Sequence, residues 1–119
     1  MAGTLTISTL NDSSGVLATQ NGMSGIAKAW ARWNASTGAV VMAASFNVSS
    51  VTYLSTGYFQ INMTTAMPDA NYAIVCTGSD SPTVGTIAVV DNATAPTTTT
   101  YRMYVTGSNR NYNSTAVFR

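Results

Sequence analysis

The chain has 119 residues, of which five are basic, four acidic and none histidine, giving a formal net charge of +1. That length holds one domain, able to bury about two-thirds of its unfolded surface and so to build a core without disulfides or metal. The lack of histidine excludes Ser-His-Asp and Cys-His nucleophilic machinery and imidazole-based zinc or iron sites.

The basic residues Lys28, Arg32, Arg102, Arg110 and Arg119 are scattered with no basic run. Duplex nucleic acid is therefore not an expected partner, because affinity for it rests on neutralising several phosphates. No apolar run reaches the roughly eighteen residues of a spanning helix, and no membrane association is expected. Ser, Thr and Asn supply forty-two residues, yet a hydrophobic content of 45% argues against disorder.

The first element in chain order is Thr4-Leu5-Thr6-Ile7-Ser8, whose polar–apolar alternation predicts a strand instead of a signal peptide. Residues 1–12 are expected to form a first strand or a docking arm, with Leu5 and Ile7 as interface candidates. Ile26–Trp33 alternates next, with Ala27, Ala29, Ala31 and Trp33 on one face and Ile26, Lys28, Trp30 and Arg32 on the other. Its alanines would permit a helix; the flanking Gly22, Gly25 and Gly38 and the tryptophan pair favour a strand. Lys28, Trp30 and Arg32 are thereby candidates for meeting another subunit, the bland reading being an exposed face on which the long stems partly cover Trp30.

Further strands are predicted over Ala39–Phe46, Val51–Leu54, Phe59–Met63, Ala73–Thr77, Thr86–Val90, Thr99–Val105 and Thr115–Phe118. Between them stand turn-forming stretches, including Asn34-Ala35-Ser36-Thr37-Gly38, Ser55-Thr56-Gly57, Met67-Pro68-Asp69-Ala70-Asn71 and Gly107-Ser108-Asn109-Arg110-Asn111. The threonine-rich run 93–100 begins as a loop and ends in a strand. The expected fold is all-β: residues 1–119 form a single β-sandwich or jelly-roll-like domain of eight or nine short antiparallel strands.

Candidate chemistry is sparse. Asp12, Asp69, Asp80 and Asp91 each lie among turn residues, where the carboxylate bonds local backbone; a glycosidase needs two carboxyls flanking a sugar. Cys76, within Ala73-Ile74-Val75-Cys76, reads as a small buried hydrophobe, without a second cysteine for a disulfide. No enzymatic activity, cofactor or metal is expected. The Asn-X-Ser/Thr triplets follow from composition. Most aromatic residues are expected in the core or a subunit interface. Tyr104, which points away from the Met103 side, and Arg110 and Tyr112, in or beside the polar run 108–114, are the exposed-loop binding candidates, for a glycan.

Four stretches carry a family resemblance: Ala27-Lys28-Ala29-Trp30, Ala44-Ser45-Phe46-Asn47-Val48-Ser49-Ser50-Val51, Thr56-Gly57-Tyr58-Phe59-Gln60-Ile61-Asn62-Met63, and Thr64-Thr65-Ala66-Met67-Pro68-Asp69-Ala70-Asn71-Tyr72. Together they resemble a domain widespread in tailed-bacteriophage tail-fibre and virion structural proteins. The resemblance covers residues 20–76 well and the rest loosely. It departs at Arg32 and Trp33, which replace a polar/aromatic pair. It implies a non-enzymatic virion structural protein, homotrimeric, on the particle surface and made in the bacterial cytoplasm. If the chain is a whole gene product, a capsid decoration or cement protein is expected, held by phage capsid or tail proteins. If it is a piece of a tail fibre, a receptor-binding tip is the alternative, with host surface glycan as its partner. A carbohydrate-binding module from another source is the remaining reading.

Overall fold

The computed structural model describes Gly3 and residues 26–79, 88–106 and 110–119. The expected strand at 4–8 with Leu5 and Ile7, together with Asp12 and Asp80, lies outside the described residues. Among the described residues there are eight strands: β1 Ala27–Asn34, β2 Val41–Phe46, β3 Val48–Ser55, β4 Tyr58–Met63, β5 Ala73–Ser79, β6 Ala88–Val90, β7 Thr100–Val105 and β8 Tyr112–Phe118. They form two antiparallel four-stranded sheets, ordered β2-β1-β8-β5 and β3-β4-β7-β6. The all-β sandwich predicted from the period of two is what forms.

Alternation decides what lies between the sheets. Ala29, Ala31 and Trp33 of β1, and Val117 of β8, face Phe59 and Ile61 of β4 and Tyr101, Met103 and Val105 of β7; all are almost fully buried. Trp33 meets Phe59 edge-on, with ring centroids 5.5 Å apart, and so ties the first sheet to the second. A short polar chain does the same. Thr115 Oγ1 donates to the Val75 carbonyl at 3.0 Å, leaving its lone pairs for the Tyr101 hydroxyl, also at 3.0 Å. Burial pushes the Tyr101 phenol well above its usual range.

The chain changes sheet at a single residue between β2 and β3. Asn47 holds a left-handed backbone (φ 53°), and its side chain ties its own turn to β1 and to the stretch after β4. Nδ2 donates to the carbonyls of Lys28 (3.1 Å) and Thr65 (3.2 Å), while Oδ1 accepts from the Thr65 N–H at 2.7 Å. The β3–β4 hairpin turns at Gly57 (φ 78°), where an added Cβ would lie 2.3 Å from the Val105 carbonyl oxygen. Only glycine fits there.

The return crossing is the Met67–Tyr72 stretch. Met67 is buried and its N–H bonds the Thr98 carbonyl at 2.8 Å. Asp69 Oδ1 accepts from the Asn71 N–H (2.8 Å), and its other oxygen pairs with Arg119. The Tyr72 hydroxyl donates to the Thr97 carbonyl at 2.7 Å, and desolvation pushes its pKa up to about 12. The residues behind the family resemblance thus serve here as crossings, turns and core.

Candidate functional site

Once the core is filled, function has to sit on the outer faces, and the two differ in chemistry. On β3-β4-β7-β6 the outward polar residues of the middle rows are hydrogen-bonded to one another, beside a row of Val89, Tyr104 and Tyr58 in which Val89 is 42% exposed. Arg102 Nε donates to Gln60 Oε1 (3.1 Å), Gln60 Nε2 donates to Asn62 Oδ1 (3.0 Å), and Asn62 Nδ2 donates to Ser50 Oγ and Thr52 Oγ1 (each 3.0 Å). Arg102 Nη1 also reaches Thr94 Oγ1 at 3.0 Å. The register makes this possible, setting Thr52 opposite Gln60 and Gln60 opposite Arg102.

The outer face of β2-β1-β8-β5 has two adjacent rows of a different kind. Cross-strand register aligns Phe46, Trp30, Ala116 and Val75 in one row, and Ala44, Arg32, Ser114 and Thr77 in the next. The central strand β8 contributes the small Ser114 and Ala116, while its neighbours contribute Trp30 and Arg32 on one side and Val75 and Thr77 on the other. Large side chains flanking small ones leave a groove of about 320 Å³ running over β8, bordered by these six residues. Val75 is 54% and Trp30 39% exposed. The Thr77 and Ser114 hydroxyls face each other at 2.6 Å. Arg32 is the only exposed charge on these four strands, and its guanidinium lies 5.0 Å over the ring of Tyr112.

The sequence-predicted candidates divide accordingly. Trp30, Arg32 and Tyr112 come together at one end of this face. Lys28 does not join them: it is 1% exposed, because the β1–β8 register slips between Ala27 and Ala29 and interrupts the alternation that would have turned it outward. It is therefore not available as an interface residue. Tyr104 is not in a loop but in β7, half-buried on the other sheet's face, packed on Tyr58 with centroids 4.4 Å apart. Arg110 immediately precedes β8, half-buried, and its Nη2 donates to the Thr106 carbonyl. Tyr112 opens β8 itself and is 56% exposed. The groove residues Val75, Thr77, Ser114 and Ala116 were not singled out in the sequence; their alternation was visible, but their adjacency needs the strand order.

The remaining reactive groups have local duties. Asp91, like Asp69, caps a turn, accepting from the Ala93 N–H at 2.9 Å. Cys76 packs half-buried against the core, and burial pushes its thiol up. No cluster of three or more His, Cys, Asp or Glu suited to a metal ion occurs among the described residues, and no helix long and apolar enough to cross a membrane occurs among them. No family model matches the chain, and no curated protein or solved structure matches it. Geometry and chemistry of the two faces are thus what a functional reading rests on.

Proposed function

We propose that the chain is a non-enzymatic structural protein of a bacteriophage virion exterior, a capsid decoration protein that assembles as a homotrimer and docks through the outer face of β2-β1-β8-β5. The observation that carries this reading is the contrast between the Gln60–Asn62–Arg102 rows of one face, whose polar groups already satisfy one another, and the face that presents Phe46, Trp30, Val75 and Ala116 beside the groove. The second gains about 25 cal/mol for each Å² of apolar surface removed from water; the first has little to gain. Support for the virion setting comes from the phage-domain resemblance of residues 20–76.

A net charge of +1 leaves specificity to shape and hydrogen bonding more than to steering. A trimer on a capsid threefold axis would multiply weak contacts through avidity. The test is the copy number of this chain in purified virions, measured by quantitative mass spectrometry against the major capsid protein. A simple fraction of the capsid count is expected. A few tens of copies would move the protein to the tail or its fibres, and absence from the particle would overturn the reading.

A further inference from the structure

The groove over β8 has a graded chemistry along its length. Its Trp30–Ala116–Val75 row is apolar, and the row two residues further along β1 and β8 holds Arg32, Ser114 and Thr77. Residues two apart on a strand lie about 6.8 Å apart on the same face. The Arg32 guanidinium stands beside the groove, over Tyr112 and in no ion pair among the described residues, so the polar row offers it to an acid.

We propose that this groove receives an extended segment of the partner protein, lying along β8, that carries an apolar side chain and, two residues away on the same side, a carboxylate. The proposal rests on the docking role assigned to this face. A side chain of leucine or phenylalanine size fills the space above Ala116 between Trp30 and Val75. The spacing of an extended chain then sets the acid against the Arg32 guanidinium. A residue immediately next to the apolar one points away from the sheet and cannot reach Arg32.

A protein segment suits the groove better than a glycan. A sugar ring needs several polar partners, whereas the apolar row offers only carbon and the indole, and the Thr77 and Ser114 hydroxyls are turned to each other. Arg32 is the single strong donor, which matches one carboxylate. Its place beside an aromatic ring preorganises the planar fork for that acid.

The experiment uses the full chain, labelled with nitrogen-15, titrated with capped peptides carrying Leu-Ser-Asp and Asp-Ser-Leu in a Ser/Thr context. Controls carry Leu-Ser-Asn, Ala-Ser-Asp and the contracted Leu-Asp-Ser. The exposed Trp30 indole and the amides of Ser114 and Ala116 are expected to shift with a spaced Leu/Asp peptide, while the buried Trp33 indole stays put as an internal reference. The Asn and contracted peptides should bind about three- to fivefold more weakly, the size of an exposed ion pair, and the Ala peptide more weakly still. Arg32→Gln should abolish the preference for Asp over Asn while leaving residual binding. Ala116→Trp should fill the groove and abolish all shifts with a dispersed spectrum; should it fail to fold, Val75→Arg at the exposed rim tests the same point.

No shift with any peptide, equal binding of spaced and contracted peptides, or Asp and Asn peptides of equal affinity would overturn the proposal. So would shifts produced by a soluble oligosaccharide panel instead, or self-association on sizing chromatography that Ala116→Trp removes, which would make a second copy the occupant. Copy number in the virion is read independently. A chain present on the capsid but indifferent to the peptides therefore refutes the groove assignment alone, and a peptide-binding chain absent from the virion refutes the virion setting alone.

Discussion

The two outer faces are built from the same plan, four antiparallel strands with a period of two, and differ in what their central strands carry. β4 and β7 bring Gln60, Asn62 and Arg102, whose amide and guanidinium groups close on one another and on Ser50 and Thr52, and beside them the packed pair Tyr58 and Tyr104. β1 and β8 bring Trp30, Arg32, Ser114 and Ala116, of which, among the described residues, only the Ser114 hydroxyl has a side-chain hydrogen-bond partner on this face, Thr77. In a sandwich the inner residues fix the fold, so outer residues can be fitted either to water or to a partner. Rows of polar groups that are mutually bonded lose by exchanging water for protein, whereas apolar rows gain. Which face works is therefore a question of whether its polar groups have been closed off.

The strongest way to break the contrast is at the joint where the chain leaves one face for the other. Asn47→Ala removes three side-chain hydrogen bonds and puts alanine at φ 53°. We expect a loss of about 2–3 kcal/mol in urea unfolding, from unpaired backbone groups and left-handed strain together. Asn47→Gly, which keeps the backbone conformation but not the bonds, should fall between alanine and the native residue. Equal losses for the two variants would show that the backbone angle contributes nothing.

That joint also marks where sequence reading stopped. The alternation in Ile26–Trp33, Phe59–Met63 and Thr99–Val105 was legible because apolar side chains at every second position can only mean one buried face. The early start of β8 was not. Residues 112–114 read as a polar run, yet Asn113 is fully buried, its Nδ2 bonded to the Arg110 carbonyl at 2.9 Å, so a polar residue holds an inward position. β3 likewise begins at Val48, three residues before the predicted Val51, because the turn is a single Asn and leaves no loop to see. Lys28 misled for a different reason, since a register slip within a strand leaves no mark on a period-two pattern. Trp30, Arg32 and Tyr112 were visible as separate candidates; only the β1–β8 pairing makes them one site with Val75 and Thr77.

A second test separates the sheets beneath both faces without altering either. The Tyr72 phenol is raised to about 12 by desolvation, and Tyr101 is raised further by deeper burial. Their folded pKa values lie above the unfolded value of about 10. Both contribute stability in full below pH ~10 that is lost as the pH rises through the folded values. Stability should therefore hold to about pH 10 and fall by roughly 2–3 kcal/mol by pH 12, most of it from Tyr101, after discounting Tyr72 for its partial exposure. The double variant Tyr72→Phe/Tyr101→Phe should be less stable at neutral pH and should lose this alkaline limb. Retention of the limb would assign it to other groups.

On the polar face, Asn62→Leu removes the hub between Gln60 and the Ser50 and Thr52 hydroxyls. A loss of about 1 kcal/mol is expected, modest because the released groups can reach water. A gain in stability would mean that the network is held together by crowding and not by its hydrogen bonds.

The smallest effect is the most telling, because it uses the same isosteric exchange in opposite directions on the two faces. Thr52→Val takes an acceptor from Asn62 Nδ2 and should cost a few tenths of a kcal/mol to about 1. Val75→Thr gives a hydroxyl to a strand position that is 54% exposed, at no cost in β-propensity, and should leave stability unchanged within about 0.5 kcal/mol. Both can be read from the midpoint of urea unfolding, with the slope as a check that compactness is unchanged. If Val75→Thr is silent in stability yet weakens peptide binding over Ala116, the apolar character of that position serves a partner and not the fold. If instead it destabilises as much as Thr52→Val, the groove wall is part of the fold's own packing, and the two faces differ in chemistry but not in purpose.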